Sequence, residues 1–517
     1  MNGIRNSIKI LKKFIVNLWF RLVMDSTKIF LLFVGNIIHI VLSFIFFYSI
    51  RLIFDIEVVG YYGTILSFFT AISFVNDLGL QLAYLKYFSE SDDPRNQSSC
   101  NGAFLGFRLV QIGMYVVIAL FLIPVIPIYQ GDIAVVYFFL LGTIFLRVGF
   151  FDQVLFSKKE VVKKSISSIF YVSLKTGLLI LFAFFFENDI WLLVNLVLIS
   201  NSAYFILNYF FIRKKKFSKP NKLLIKKFIK FSLPFFLTNS LVFIVNNIDM
   251  LLINAWANIG DVANYFTAKQ FFLYFLIITS SISNILITTF SKNVGEGRVN
   301  SNITIINYTH KILNLIIIPI IFLIFLYATD FFVFIFGEEY RLTGQILNFF
   351  VILLIPLSLD FANIVHLQAL EEVKFYAKFS VIENTLSVIF MVLFISPDIF
   401  NLGVFGGALA YVVAKIVIQI IYRPIAYKKF NLGFYWGVIR NLIIMTGIYL
   451  IQLWINSLFT YPVYLIPIFG LIDITLYLLL SYVFKGFSKE DFKFIFTIFN
   501  FKNIYNTISL EMKEDER

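Results

Sequence analysis

Apolar stretches long enough to cross a membrane recur along this 517-residue chain from about residue 29 to residue 484. A run of about 20 apolar residues matches the ~30 Å hydrocarbon core of a bilayer, and a helix satisfies its own backbone hydrogen bonds there. Hydrophobic residues make up 60% of the chain and charged residues only 14%, which is too little polar surface for a soluble protein of this length. The sequence therefore predicts an all-α polytopic membrane protein with about fourteen transmembrane helices.

The distribution of positive charge predicts how the chain is oriented. Most of the 43 lysines and arginines lie in the two tails and in every second loop, whereas the intervening loops contain Arg51 and Arg341. The positive-inside rule then places both termini in the cytoplasm. We therefore expect the basic residues behind the net charge of +13 to interact with anionic membrane lipids, and we expect no nucleic acid as a partner. The predicted spans are 29–50, 59–88, 102–129, 132–157, 166–187, 189–212, 231–255, 262–290, 303–328, 344–368, 379–396, 402–422, 436–457 and 462–484.

Polar and basic segments divide the chain into parts. Residues 1–28 are predicted to form an amphipathic cytoplasmic helix on the inner leaflet, and residues 485–517 a cytoplasmic tail. The basic segment Arg213–Lys230 separates two bundles of six helices each. The remaining predicted parts are the first bundle at 29–212, the second bundle at 231–422, and two extra transmembrane helices within 423–484.

The two bundles resemble each other at their second spans. The segment that begins at Glu57 reads acid, Val, Val, Gly, Tyr, Tyr, and the one that begins at Asp261 reads acid, Val, Ala, Asn, Tyr, Phe. Matched segments after an even number of spans predict parallel repeats related by an axis along the membrane normal. Such repeats suit alternating access around a shared cavity. Chance similarity between two aromatic-rich helices is the alternative.

Polar residues at helical spacing mark helix faces that do not contact lipid. The twelfth span places Tyr411, Lys415 and Gln419 on one face at steps of four. The alternative to a water-filled cavity is hydrogen bonding between helices, which contributes ~0.6 kcal/mol on average. A longer stripe in the second span consists of Ser67, Thr70, Ser73, Asp77, Gln81 and Tyr84.

Cations deep inside the predicted spans are the candidate substrate-binding residues. A cation at the bilayer centre costs ~2.5–3.5 kcal/mol even on the mildest scale, so such residues need an anion or water. We expect them to bind an anionic headgroup such as a sugar phosphate or pyrophosphate, the arginines by paired hydrogen bonds. The alternative is internal ion pairing with the acids that also lie within spans, Asp77, Asp152, Asp249, Asp360 and Glu383. The candidate cations are Arg108, Arg147, Lys175, Lys269, Lys311 and Lys415.

Two of these acids are candidate ion-coupling residues. Asp249, next to Asn246 and Asn247, is placed either to bind Na⁺ together with amide oxygens or to titrate with H⁺, and Asp77 is the second candidate. The single Cys100 and three scattered histidines predict no metal site. No phosphate-binding glycine loop or catalytic set is present in the sequence, so neither a cofactor nor an enzyme activity is expected.

The order of these features resembles the polysaccharide and oligosaccharide flippases of the multidrug/oligosaccharidyl-lipid/polysaccharide (MOP) exporter superfamily. The resemblance covers about residues 25 to 485. It implies two six-helix bundles around a V-shaped cationic cavity, and a polyprenyl-linked glycan as substrate. The segments that carry it are Val59–Tyr62 to Leu78–Leu80, Phe231–Pro234, Asn247–Asp249, Tyr265 to Lys292, Phe336–Tyr340 and Gly403–Gly407.

The expected function is therefore translocation of a polyprenyl-linked oligosaccharide across the cytoplasmic membrane by alternating access. Two alternatives remain open, a cation-coupled multidrug exporter of the same superfamily and an integral-membrane glycan polymerase. Buried cations and the two extra helices disfavour the exporter, and the lack of a large external loop disfavours the polymerase. Lipid II flippases resemble the chain less, because its first span has no arginine at mid-membrane depth.

Overall fold

The fold is taken from a computed structural model, which describes residues 35–491 except 36, 77, 90–92, 149–150, 152–153, 156–160, 184–188, 371, 459–461 and 489–490. The predicted amphipathic segment 1–28 and most of the predicted tail 485–517 therefore lie outside the described residues. Regular secondary structure in the described residues is entirely helical, which confirms the all-α prediction.

Ten described helical segments are long and apolar enough to cross a membrane, and three shorter apolar helices accompany them, as expected of a multi-pass membrane protein. The number fourteen stays a prediction. The first half of the chain contains α1 (Ile37–Ile53), α2 (Ile56–Ala71), α3 (Leu80–Ser89), α4 (Pro94–Leu122), α5 (Ala134–Val148), α6 (Val161–Ala183) and α7 (Ile190–Ile212). The second half contains α8 (Lys222–Trp256), α9 (Ile259–Gly295), α10 (Val299–Phe336), α11 (Arg341–Ile352), α12 (Leu354–Ala369), α13 (Val373–Ile395) and α14 (Gly403–Phe430). The terminal pair consists of α15 (Gly437–Leu458) and α16 (Ile466–Val483).

Two of the predicted continuous spans are broken helices. The span 59–88 ends its α-helix at Ala71, continues as a 3₁₀ turn to Asn76, and resumes at Leu80 after Gly79, whose φ of 75° is in the left-handed region. The span 344–368 divides into α11 and α12 at Leu353. A broken helix leaves backbone carbonyls without helical partners, and inside a membrane they need another donor.

The basic linker is attached to the first half. The Ser218 amide donates to the Ser98 carbonyl at 3.0 Å, and the Asn101 side chain donates to the Lys216 carbonyl at 3.0 Å. Gly102 permits this contact, since a Cβ there would lie 1.8 Å from the Ser218 carbonyl oxygen. Because α8 begins at Lys222, the last part of the predicted linker 213–230 is already helical.

The two matched repeat segments pack against each other. A Cβ at Gly60 on α2 would lie 2.4 Å from the Ile259 carbonyl oxygen at the start of α9, and one at Gly63 would lie 2.6 Å from the Phe266 ring. Glycines thus allow the two helices to approach closely. Equivalent helices that meet in this way are what a two-fold axis between the halves would produce.

A second contact between the halves lies at the same end. The Arg51 guanidinium at the end of α1 donates to the Phe336 carbonyl at the end of α10. Gly337 follows with φ of 96°, and a Cβ there would lie 2.8 Å from Arg51 Nη2. The Phe336 ring also lies 6.4 Å from Phe44 and 6.2 Å from Tyr48. Arg51 therefore joins the first half to the second.

Substitution of Gly63 tests this packing. We expect Gly63→Leu to lower stability by about 1–3 kcal/mol, because the added side chain overlaps the Phe266 ring and must force α2 and α9 apart. The thermal midpoint of the purified protein measures the effect. Gly106→Leu on α4 is the matched control, since a Cβ there meets nothing within 4 Å. Equal midpoints for the two variants would contradict the contact.

Candidate functional site

Lys269 and Asp249 form a buried ion pair in the second half. The Lys269 ammonium on α9 lies 2.8 Å and 2.7 Å from the two carboxylate oxygens of Asp249 on α8. It also donates to the Asn246 carbonyl. Asp249 is fully buried and Lys269 nearly so. The charge of each residue is thus neutralised by the other.

Two tyrosines complete the environment of this carboxylate. The Tyr265 hydroxyl donates to Asp249 Oδ2 at 2.6 Å, and the Tyr411 hydroxyl lies 3.2 Å from the same oxygen. A Cβ at Gly407 would lie 2.9 Å from the Tyr265 ring, so Gly407 allows α14 to approach. The Met250 backbone amide also donates to Asp249 Oδ1 at 2.8 Å. Asp249 therefore has four protein donors around it, and a cation already occupies the position that sequence reasoning gave to a coupling ion.

Lys415 on α14 is shared by two carboxylates. Its ammonium lies 3.1 Å from Asp360 on α12 and 3.1 Å from Glu383 on α13. Asp360 also accepts from Arg423 at 3.1 Å and from the Gln419 side chain. Two cations and two carboxylates balance in this cluster. The Glu383 side chain is the most exposed of the four at 24%, so its bond to Lys415 is the one that water or a ligand reaches most easily.

Lys311 on α10 pairs with Asp491, beyond the terminal pair. Burial by itself would raise the pKa of the Asp491 carboxyl, but hydrogen bonds from Lys311 and from Ser488 outweigh burial and hold that pKa below its usual value. Asp491 is therefore ionised at neutral pH, and Lys311 has a fixed counter-charge.

Arg108 on α4 contacts the break in the second span. Its guanidinium donates to the Asn76 carbonyl, at the end of the 3₁₀ turn, and lies 3.3 Å from the Gln111 side-chain oxygen. This is the donor that a broken membrane helix requires. Arg108 is buried, and its guanidinium also lies over the Phe104 ring. The neighbouring Asp77 lies outside the described residues.

Lys175 on α6 has aromatic neighbours. Its ammonium donates to the Tyr62 hydroxyl at 3.0 Å and lies 4.2 Å from the centre of the Phe46 ring. None of the described carboxylates pairs with it. Ring faces attract an ammonium only weakly, by ~0.5–2 kcal/mol, so much of this charge remains available to an anion.

Arg147, in the last turn of α5, has a similar environment. Its guanidinium carbon lies 5.6 Å from the centre of the Tyr115 ring, and Tyr115 is fixed by a 3.0 Å hydrogen bond to Thr143. Within the described part of the chain the buried Arg147 Nε has no hydrogen-bond partner, and no carboxylate pairs with the guanidinium. Tyr171 lies within electrostatic range of both Arg147 and Lys175. The two cations therefore face a common region.

The structure thus divides the predicted cations into two groups. Arg147 and Lys175, in the first half, share aromatic surroundings and have no carboxylate partner among the described residues. The others have protein partners: Lys269, Lys311 and Lys415 in ion pairs and Arg108 at a helix break. Sequence reasoning placed Arg423 outside a span and so missed its pairing with Asp360. The stripe of Tyr411, Lys415 and Gln419 was the available signal, since all three contact carboxylates on other helices.

A metal site is not formed in the described part of the chain, where no group of three or more His, Cys, Asp or Glu side chains is placed to hold an ion. Arg147, Lys175 and the tyrosines near them supply cations and hydroxyls instead. Such a set can bind an anion and hydrogen-bond to a polar group such as a sugar.

Comparison with known families decides the affiliation. The family model described as polysaccharide biosynthesis protein matches residues 26–294, just over half of the chain. The chain belongs to this polysaccharide biosynthesis protein family. The match covers the whole first half, with Arg147 and Lys175, and extends to the end of α9. No curated protein sequence matches the chain.

Solved structures show the same fold. The lipid II flippase MurJ in an inward closed conformation is 19% identical, with a TM-score of 0.67 over 87% of this chain and 97% of that one. An inward-facing multidrug transporter of the MATE family is 14% identical, with a TM-score of 0.61 over 75% and 92%. A Pyrococcus furiosus MOP superfamily transporter, described as having a binding pocket of reversed polarity, is 15% identical, with a TM-score of 0.57 over 76% and 93%. The polysaccharide biosynthesis protein therefore has the fold of MOP superfamily transporters.

Proposed function

We propose that the protein is a flippase that moves a polyprenyl-linked oligosaccharide across the cytoplasmic membrane, with Arg147 and Lys175 binding the anionic headgroup. The observation that carries the proposal is the pair of first-half cations, which have no carboxylate partner in the described part of the chain. Membership of a polysaccharide biosynthesis family supports a glycan as the cargo. No covalent chemistry is assigned to the protein.

The chemistry of these residues suits a phosphate or pyrophosphate that links sugar to lipid. A guanidinium offers paired donors to a phosphate, and an ammonium adds a point charge. Tyr62, Tyr115 and Tyr171 add hydroxyl groups and ring faces beside the cations. Aromatic surfaces with a few polar groups are typical of small-molecule sites. The sugar head would cross in this polar region while the polyprenyl chain stays in the bilayer.

The paired lysines contribute to binding in a different way. Glu383 is partly exposed, so a substrate phosphate can replace it at Lys415 without leaving that ammonium unpaired. Lys269 is held by a fully buried carboxylate and Lys311 by Asp491, so both take part only if those pairs open. Arg108 acts mainly by stabilising the break after Asn76.

Coupling to Na⁺ or H⁺ at Asp249 then requires that Lys269 withdraw. While the pair is closed, the Lys269 ammonium lies less than 3 Å from both Asp249 oxygens. A Na⁺ or H⁺ added to the same carboxylate would be strongly repelled by that ammonium. Asp77 remains a candidate that lies outside the described residues. Ion coupling at either acid is a proposal independent of the headgroup site.

In the proposed alternating-access cycle, the two halves of the molecule separate at one end and then at the other. The contacts of Gly60, Gly63 and Arg51 with the second half all lie at the end of the molecule that the positive-inside rule assigns to the outer surface. We infer that the described conformation is closed on that side. Opening would separate α2 from α9 and release Arg51 from the Phe336 carbonyl.

A cation-coupled drug exporter is the second candidate, since MATE transporters share the fold. A cationic drug needs an acid without a counter-charge. Asp249, Asp360 and Glu383 all pair with lysine, and Asp473, which pairs with no described cation, lies on α16 of the terminal pair, outside the two predicted bundles. A glycan polymerase is less well supported, because it would need a large external loop, whereas the chain after α10 continues directly into a 3₁₀ turn and α11.

Deletion of the gene tests the flippase proposal. We expect lipid-linked glycans to accumulate on the cytoplasmic leaflet, because their polar heads cannot cross hydrocarbon unaided. A membrane-impermeant glycan-binding probe, applied to intact and to opened cells, measures the leaflet distribution. Restoration of outer-leaflet glycan by the wild-type gene is the control. Accumulation on the outer leaflet alone would refute the proposal.

A further inference from the structure

A buried carboxyl in the terminal helix pair has no role in the headgroup site. Asp473 lies on α16, a candidate membrane span, and only 3% of its surface is exposed. Its hydrogen-bond partner is the Tyr327 hydroxyl of α10, which donates to Asp473 Oδ2 at 3.2 Å. None of the described cations pairs with it. This contrasts with Asp249, Asp360 and Glu383, each of which has a lysine.

The depth of the residue makes an ionised carboxylate unfavourable. Asp473 lies about 10 Å along α16 from its start, and Tyr327 about 13 Å from the end of α10, at 1.5 Å per residue. Both positions are well inside a hydrocarbon core of about 30 Å. A carboxylate with one neutral donor in such a medium is far less stable than the neutral acid, which needs no counter-charge.

A line of buried polar side chains continues from Asp473 towards the end of α16. Tyr477 and Ser481 follow at steps of four on the same face, and both are buried. The Tyr477 and Ser481 hydroxyls lie close to each other, and neither has another hydrogen-bond partner among the described residues. At the end of this face the Arg440 guanidinium on α15 donates to the Lys485 carbonyl at 3.3 Å. Hydroxyls that are free to donate and accept are what a proton route requires.

We propose that Asp473 is a proton-binding site through which the terminal pair acts on α10. The proton enters from water near Lys485, passes the hydroxyls of Ser481 and Tyr477, binds the Asp473 carboxylate, and returns to water when α16 loosens. The charged and titratable groups around the site are Tyr327 from α10, Arg440 from α15, Tyr435 from the segment before α15, and Tyr477 from α16 itself. Asp491 lies within electrostatic range of Tyr435, but its pairing with Lys311 keeps it ionised, so it does not compete for the proton.

Helix α10 connects this site to the contact between the halves. Tyr327 and Phe336 lie on the same helix, and the Phe336 carbonyl accepts from Arg51 of the first half. A neutral Asp473 lets α16 stay packed on α10, where a Cβ added at Gly470 would lie 3.5 Å from the Leu323 side chain. An ionised Asp473 would draw water and loosen that packing. Protonation at Asp473 therefore favours the state in which α10 holds Arg51.

Infrared spectroscopy of the purified protein in lipid nanodiscs tests the site without any substrate. We expect the wild-type protein at pH 7 to show the carbonyl stretch of a protonated carboxylic acid, and Asp473→Asn to lose it. Tyr327→Phe should keep the band but shift it to higher frequency, because a hydrogen bond to the acid is lost. Asp330→Asn, at an exposed position of α10, is the control and should leave the band unchanged. Identical spectra for wild type and Asp473→Asn would refute the proposal.

A transport measurement tests whether proton binding at Asp473 is coupled to transport. This coupling rests on the proposed function. The probe is a fluorescent oligosaccharide on undecaprenyl diphosphate in proteoliposomes, with and without a pH difference. Asp473→Asn is expected to retain transport without the gradient and to lose the acceleration that the gradient gives the wild type. A variant that keeps the full acceleration would refute the coupling. Absence of transport by the wild type would count against the flippase function, whereas the infrared band decides the proton site separately.

Discussion

Lys269→Met is expected to destabilise the protein by about 3–5 kcal/mol, because it leaves the fully buried Asp249 carboxylate without its counter-charge. The remaining hydrogen bonds from Tyr265, Tyr411 and the Met250 amide are all from neutral donors, and they cannot replace an ammonium that contacts both carboxylate oxygens. Unfolding of the purified protein, followed by heat or denaturant in a fixed detergent, measures the loss. Lys378→Met at an exposed position of α13 is the matched control and should change stability little.

The double variant Asp249→Leu/Lys269→Met separates pairing from packing. Removal of both charges leaves no uncompensated ion, so we expect stability to return to within about 1–2 kcal/mol of the wild type. Asp249→Asn alone should be destabilising, since it leaves the Lys269 ammonium with a neutral partner. If the double variant is as unstable as the sum of the two single variants, the pair does not interact as the structure shows.

Arg147→Ala and Lys175→Ala are each expected to slow translocation about ten- to a hundredfold, with normal membrane insertion. A hydrogen bond between ionised groups contributes ~1.5–3 kcal/mol, and 1.4 kcal/mol corresponds to a factor of ten. Neither variant leaves a carboxylate among the described residues without its counter-charge, so we expect little change in unfolding temperature. Initial rates of lipid-linked glycan transfer in proteoliposomes measure the effect.

Conservative variants test the role of the charge. Lys175→Arg keeps the cation beside Tyr62 and should retain most of the rate, whereas Lys175→Met should not. Arg147→Lys loses the paired donors, so its translocation rate should lie between those of the wild type and Arg147→Ala.

Lys415→Ala should reduce stability as well as transport, because Asp360 and Glu383 both lose a partner. Wild-type rates in Arg147→Ala and Lys175→Ala would remove both residues from the substrate route.

The membrane class and the helical fold could be predicted from sequence, because spans follow from local hydropathy, and the family could be predicted from the segments that resemble it. The break near Gly79 could not, since the stripe from Ser67 to Tyr84 keeps helical spacing across it. Residue type and depth identified the deep cations, but the partner of each depends on which helices pack together. Lys269 and Asp249 are twenty residues apart, and Lys415 and Asp360 fifty-five, so no local pattern connects them.

The central claim is that the cations without carboxylate partners in the first half hold the negative head of a lipid-linked glycan during transfer. The most direct measurement compares transfer of a fluorescent oligosaccharide on undecaprenyl diphosphate by liposomes that contain the wild-type protein or Arg147→Ala/Lys175→Ala. We expect rapid transfer by the wild type and almost none by the double variant at equal protein content. Equal rates for the two proteins would contradict the claim.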